Sequence, residues 1–532
     1  MRLNITYLGV FLISCFFGIA QKIDFGKSFE TEYQGYEPTI LFEDEKYLYG
    51  VDYNSPDIIL QVFDKRKKST KKHHVIPIPE LKKVRESISR FGFIGNKLVL
   101  FMEMDYYREN RSKLVAYTID PERGRIDNEI ILMDKAYENS RYIGYYEVKI
   151  SRDHQSAVIN SATYYPERAI TEQIIVLLDD ELKEAAKRKF SLSGKGVEVR
   201  SNMLIDNDGA IYMLANGELI MYDPFNDFEE WREAIPINDL AVNGTLYNLG
   251  LSVRPDGNLV LSAFYFTVDT EDQPDANLPR RDRKEGDTQI EGVKFMVFDP
   301  INREFIAEKL NMFDQNFIDD FRNDDDKHDG HDGEINQNFN DLKFHFDEQG
   351  NCYLIAQPIW YERSYDRNGK LNGEFYHYEE LMVLAFDANA NLAWEERIPK
   401  RQMYYWGASM ILNIGSHGTA LITVPFNIPG FFDYYSYVKD GKLFVFYNDM
   451  LLNRAGKSQD QELETYRKIK KGNPVVQEIN LANGERKGSV VPNLARPKMY
   501  LKPGLMHYSA KDDTFYYFLV YKKMMQLNSF KL

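Results

Sequence analysis

Three short runs in this chain set aromatic rings beside an arginine and a glutamate: Asp105-Tyr106-Tyr107-Arg108-Glu109, Tyr164-Tyr165-Pro166-Glu167-Arg168 and Trp360-Tyr361-Glu362-Arg363. Such side chains combine apolar area with directional polar groups, which is why Tyr, Trp and Arg recur at binding hot spots. The pattern points to recognition of a ligand, with Tyr106, Tyr107, Arg108, Tyr164, Tyr165, Arg168, Trp360, Tyr361 and Arg363 as its surface. Looser copies are Phe264-Tyr265-Phe266, followed by Arg280 and Arg281, and Tyr447-Asn448-Asp449, with Arg454 beyond. The competing reading packs these rings inside the fold and leaves the Glu–Arg pairs as solvated ions.

Carboxylates in the same runs, Asp105, Glu109, Glu167 and Glu362, could serve as acid and base on a polysaccharide. Catalysis needs unlike groups converging within hydrogen-bonding reach, and abundance alone does not supply that. Nothing in the chain matches G-x-S-x-G, H-E-x-x-H, a Walker loop or G-x-G-x-x-G after a strand, so the sequence points away from an enzyme and calls for no cofactor. The acidic run Asp324 to Glu334, DDDKHDGHDGE, holds His328 and His331 among carboxylates. It fails the calcium-loop pattern because Lys327 falls where an oxygen ligand is needed. It reads as a surface loop, and no metal ligands are assigned.

The elements that would position these residues repeat along the chain. An apolar run ending in Asp or Asn recurs eight times: IILQVFD at Asp64, LVAYTID at Asp120, IIVLLD at Asp179, LIMYD at Asp223, FMVFD at Asp299, MVLAFD at Asp387, VVQEIN at Asn480 and MMQLN at Asn528. Upstream sits a hairpin tipped by Asp, Asn or Gly, as in MLIDNDGAIYMLA around Gly209, LSVRPDGNLVLSA around Gly257 and FHFDEQGNCYLIA around Gly350. Such tips between apolar runs are hairpin signals, because tight turns need positive φ. Looser hairpins surround Asn96, Asp153 and Asp512.

Each unit is then a meander of four strands, A to D, and eight of them predict an all-β propeller. Seven blades are the alternative, since either ILNIGSHGTALITVPF or SYVKDGKLFVFYND could supply the inner strands of the seventh unit. The last unit ends after three strands, so Ile23 to Phe29 is expected to close the ring as its fourth. Two polar insertions, about 269–292 and 311–341, read as loops within this single domain of residues 21–532. The aromatic–Arg runs fall in B to C loops, on the face opposite the tight A to B turns. The motifs resemble, in architecture only, secreted and periplasmic propellers grouped with the NHL and TolB-like families.

Residues 1–20 read as a secretory signal peptide: Arg2, an apolar run from Leu8 to Ile19, and small residues before a cut after Ala20. The apolar run is too short to span a bilayer, and no later one reaches that length. A lipobox at Leu12-Ile13-Ser14-Cys15 competes, with Cys15 lipidated, though the apolar FFGIA that follows is unusual there. With Cys15 removed, Cys352 alone remains and no internal disulfide can form. The 532 residues carry a net charge of −15, which argues against a polyanionic partner such as nucleic acid. These readings converge on a non-enzymatic, secreted or periplasmic propeller that binds a protein or glycan. The alternatives are a polysaccharide-acting enzyme and a subunit of a cell-envelope assembly.

Overall fold

The computed structural model describes residues 22–31, 38–54, 57–78, 84–138, 145–165, 167, 170–193, 203–215, 217–236, 244–268, 288–320, 339–365, 371–378, 380–407, 432–450, 472–490 and 499–531. Their strands pair antiparallel into eight separate sheets. Blades 1 to 7 span 39–77, 85–136, 145–193, 203–234, 244–312, 339–398 and 435–490, each built from strands A to D in chain order, with one further strand between B and C of blade 6. Blade 8 takes strands A to C from 500–531 and its strand D from Lys22–Glu30. Eight blades therefore hold, and SYVKDGKLFVFYND supplies strands A and B of blade 7; ILNIGSHGTALITVPF lies outside the described residues.

The core is a ring of clusters, each between two neighbouring blades. Strand B of blade 2 shows why: Leu98, Leu100, Met102 and Met104 pack against blade 1, while Val99 and Phe101 pack against blade 3. Alternate residues of a strand point to opposite faces, so an apolar run buries both faces of its sheet. Among the described residues every one of the eight seams has such a cluster, including that between blades 8 and 1, where Leu48 and Phe63 meet Phe518 and Met525. Cys352 is buried in the seam between blades 5 and 6, and burial pushes its thiol pKa well up.

The recurring Asp or Asn has a local cause. At the end of strand C its side-chain oxygen accepts backbone N–H groups of the C to D turn: Asp120 from Glu122 at 2.8 Å, Asp179 from Lys183 at 2.8 Å, Asp299 from Ile301 at 2.8 Å, Asn480 from Ala482 at 2.9 Å. Short polar side chains favour such turns for this reason. The A to B turns use the same device and add a tyrosine. Asp206 accepts from Ala210 N–H at 2.9 Å and Tyr212 O–H at 3.0 Å, and Asp347 from Asn351 N–H and Tyr353 O–H, both at 2.9 Å. Gly209, Gly257 and Gly350 supply the positive φ at three of these tips.

Asn528 departs from the pattern, since blade 8 has no C to D turn. Strand D arrives from the far end of the chain, and Asn528 sits mid-strand in Met524–Lys531. Its Oδ1 accepts Gly26 N–H at 3.3 Å, and Gln526 Nε2 donates to Gly26 O, holding a bulge between Phe25 and Ser28. The closing seam is also ionic. Lys65 Nζ lies 2.7 Å from Glu43 and 2.9 Å from Asp512, and Lys68 pairs with Asp24 of the closing strand. Burial alone would raise the Glu43 carboxyl, but hydrogen bonds with His507, Lys65 and Ser509 bring it down to about 2.

The insertions are narrower than expected. Strand C of blade 5 resumes at Thr288, its strand D runs to Met312, and a short helix spans Gln315–Asp320 before Phe339. The reason is pairing: Gly292 faces Met312 across the ladder, so residues that look like loop extend the sheet. The run Asp324 to Glu334 lies outside the described residues.

Gly26 tests the closure. A Cβ there would fall well inside contact distance of the carbonyls of Lys68 and Leu527, both backbone atoms that cannot rotate away. Gly26→Ala should lower stability by about 1–3 kcal/mol and expose the N-terminal strand to proteolysis, whereas Lys27→Ala beside it should leave the melt unchanged. Equal melts for the two variants would contradict a closed seam at Gly26.

Candidate ligand-binding face

The two faces of the ring differ. One carries the A to B and C to D turns just described. The other is the end of the sheets at which strand B gives way to strand C and strand D to the next strand A. Blade 6 is elaborated most on this second face. Its strand B, Cys352–Tyr365, pairs with strand C only over Cys352 to Ala356. Beyond that, Ile359 to Tyr365 pairs with Leu371–Tyr378, which pairs in turn with Gln402–Gly407. A three-stranded extension thus stands on the loop face.

The aromatic–Arg residues fall into different settings. Tyr106 is half-buried in the cluster between blades 1 and 2. Tyr107 and Arg108 form the B to C turn of blade 2, with the guanidinium 5.8 Å from the Tyr107 ring centroid. Tyr164 is 37% exposed and Tyr165 only 8%, successive strand residues pointing to opposite sides of the sheet. Arg168 lies outside the described residues. Trp360, Tyr361 and Arg363 were expected in a loop but stand on the extension strand, paired with His377, Tyr376 and Glu374; their side chains are outside the description. The cause is continued pairing where a B to C turn would otherwise end strand B. In the looser copies Phe264, Tyr265, Tyr447, Asn448 and Asp449 are all buried, while Arg280, Arg281 and Arg454 are outside the described residues.

Residues that the aromatic pattern did not single out gather, together with Asp105, in the seams below this face. Between blades 2 and 3, Glu103 accepts the Tyr146 backbone N–H, and burial pushes its carboxyl up to about 7. Two residues along the same side of the strand, Asp105 accepts Tyr137 O–H at 2.6 Å. Tyr146 and Ser112 share a 2.9 Å hydrogen bond, and Lys135 donates to Thr163 Oγ1 at 2.5 Å. The signal was present in KLVLFMEMDY, an apolar run broken by two carboxylates of the same parity. Between blades 6 and 7, Glu380 pairs with Arg397, and the buried Lys400 donates to Phe432 O at 2.8 Å. Its ammonium lies 5.7 Å and 5.8 Å from the Tyr378 and Tyr434 ring centroids. Among the described residues no group of three His, Cys, Asp or Glu stands together as a metal site would, and no helix is long and apolar enough to cross a membrane.

No protein-family model matches the chain, and no curated protein matches it in sequence. Solved structures similar to it include a WD40 domain, a propeller and a polysaccharide lyase. The WD40 domain of SCAP from fission yeast is 9% identical, with 96% of each chain covered and a TM-score of 0.38. The Dos1 propeller is 9% identical over 95% of each chain, TM-score 0.41. The polysaccharide lyase Uly1 is 9% identical over 93% of this chain and 90% of that one, TM-score 0.39. The eight-bladed ring rests on the strand pairing itself rather than on these likenesses.

Parity separates packing from contact. Tyr106→Ala and Tyr165→Ala should each cost about 2–4 kcal/mol of stability by opening a cavity in a seam. Tyr164→Ala should stay within about 0.5 kcal/mol, as surface changes usually do. Thermal or urea melts of the three variants measure this, and a destabilised Tyr164→Ala would contradict its placement at the surface.

Glu103 makes a pH prediction. Its carboxyl is raised from 4.5 to about 7 in the folded chain, so folding binds the proton more tightly. The favourable contribution is complete below pH 4.5 and is lost as pH rises through 7. Glu103→Gln, uncharged throughout, should gain on the wild type between these limits by up to about 3 kcal/mol. A stability difference that is constant from pH 4.5 to pH 8 would contradict burial as the cause.

Proposed function

We propose that this chain is a non-enzymatic β-propeller that binds a protein or glycan on its loop face, outside the cytoplasm. The observation that carries the reading is the asymmetry of the ring. The A to B and C to D turns are short and held by their own Asp and Asn side chains, whereas the aromatic-rich extension of blade 6 stands at the opposite end of the strands. Loops on a rigid scaffold are where binding residues concentrate. Tyr107, Arg108 and Tyr164 lie on that face, and export is supported by the signal-peptide pattern of residues 1–20.

A photo-crosslinking residue at Tyr164, on the loop face, and another at Ile301, 89% exposed in the C to D turn of blade 5, tests this. Mixed with envelope extract and soluble polysaccharide, the first should yield adducts with a protein or a glycan and the second none. Adducts from Ile301 alone would overturn the reading.

A second reading, an enzyme acting on polysaccharide, has Glu103 and Asp105 in its favour. Two carboxyls in unlike environments are how one site runs acid and base chemistry near neutral pH. Polysaccharide cleavage by the wild type that is lost in Glu103→Gln would establish it in place of the first; its absence from both would remove it.

A further inference from the structure

Strand D is the outer edge of every blade, and among the described residues no strand pairs with its far side. A row of unpaired N–H and C=O groups is a template for another strand, and folded proteins blunt such edges with charge, Lys above all. Blade 1 does so with Lys71 and Lys72, blade 3 with Lys187, Arg188 and Lys189, and blade 8 with the charges of Lys22–Glu30. Blade 5 differs. Its outer strand Glu304–Met312 exposes Ile306 at 48%, Leu310 at 39% and Met312 at 51%, and among the described residues no other strand shows more than one exposed large apolar side chain.

The exposure has a cause on each side of the sheet. Glu308, Leu310 and Met312 sit opposite Met296, Lys294 and Gly292 of strand C, on the side that faces blade 4. The outer strand of blade 4 is only six residues long, Glu229–Ala234, and Arg303 holds its first residue, Glu229, level with the start of strand D at 3.3 Å. Blade 5 therefore overhangs it towards the loop face. Ile306 is the extra residue of a bulge, since Phe305 faces Phe298 and Ala307 faces Val297. The side facing blade 6 is taken: Asn311 donates to Ala390 O at 3.0 Å and accepts Leu392 N–H at 2.9 Å.

This edge matches itself. Two copies pairing antiparallel across a two-fold axis set even-numbered residues opposite even-numbered ones, with the axis at one residue position. Only an axis at Glu308 pairs all nine residues. Ile306 then meets Leu310 of the second copy on both sides of the axis, Ala307 meets Lys309 and Phe305 meets Asn311. An axis at Lys309 would set that lysine against its own copy, and an axis at Ala307 would set Ile306 against Glu308. The like pair in the favoured register, Glu308 with its copy, is offset by Lys294, which is 3% exposed and lies 2.5 Å from Glu308 in each chain.

We propose that the outer strand of blade 5 is a self-association edge, at which Glu304–Met312 pairs antiparallel with the same strand of a second copy of this chain. Nine paired residues, about 31 Å long and about 10 Å across, cover on the order of 300 Å² of each copy, below the roughly 800 Å² of a standard interface, so the dimer is weak and reversible. The pairing lies on the outer wall of the ring and is independent of what the loop face binds. Strand D runs towards the loop face, so antiparallel pairing points the two loop faces in opposite directions.

The test is sedimentation equilibrium of the full chain from low to high micromolar concentration. The average mass should rise towards twice that of one chain. Ile306→Lys and Leu310→Lys should each weaken association tenfold or more, because Lys on an edge opposes pairing. Ile131→Lys, at a position 52% exposed on the outer strand of blade 2, should stay within about twofold of the wild type. Melting curves accompany each variant. Should the lysine variants fail to fold, cysteines decide. Chains carrying Ile306→Cys mixed with chains carrying Leu310→Cys should form a disulfide-linked dimer on mild oxidation, whereas either alone should not, because each position lies about 14 Å from its own copy. The buried Cys352 does not compete. A monomer at every concentration, association that survives both lysine substitutions, growth into larger aggregates, or linkage as ready in a single variant as in the mixture overturns the proposal.

Discussion

A four-stranded sheet with apolar residues on both faces cannot be stable alone in water. Each blade here depends on being held between two others, and only a closed ring gives every blade two neighbours. At about 25 cal/mol per Å² of apolar surface, one unmatched blade face would expose several large side chains and outweigh the stability of a typical domain. The closing strand Lys22–Glu30 is the condition on which the seam clusters between blades 7 and 8 and between 8 and 1 rest. Its bulge, the absence of room at Gly26 and the Lys68–Asp24 pair are local answers to that demand.

Much of this architecture is legible in the sequence because it is local. The strand C endings are visible because the turn needs an oxygen to accept its N–H groups, and Asp or Asn at a strand end supplies one. The three glycine-tipped hairpins are visible because positive φ is cheapest at glycine. Even Asn528, which looks like another turn cap, keeps its residue type while doing a different job in the closing seam. Closure was legible by subtraction, from a unit that lacks a fourth strand. The blade 5 boundaries were not, because a polar strand such as Glu304–Met312 reads as loop until its partner is known.

The site is less legible, since its meaning depends on parity and register. Tyr164 and Tyr165 are adjacent and chemically alike, yet one is at the surface and the other in a seam. Loop-like polarity in Trp360 to Arg363 concealed a strand because its partner, Leu371–Tyr378, is itself an addition to the repeat. Asp105 was named from the sequence, but its neighbour Glu103 was hidden by abundance: 81 acidic residues make any one unremarkable until burial singles it out.

The closing strand also sets a kinetic problem. Gly26 and Asn528 are separated by 502 positions, so the contact that completes the ring joins the first described strand to the last. At synthesis rates of about 5–20 residues per second, strand D of blade 8 emerges roughly 25–100 s before its partner exists. During that interval its N–H and C=O groups are unpaired and free to dock on the wrong edge. Long-range pairing of this kind is also slow to form once the chain is complete. Lys22, Asp24, Lys27 and Glu30, four charges in a nine-residue strand, keep it soluble while it waits.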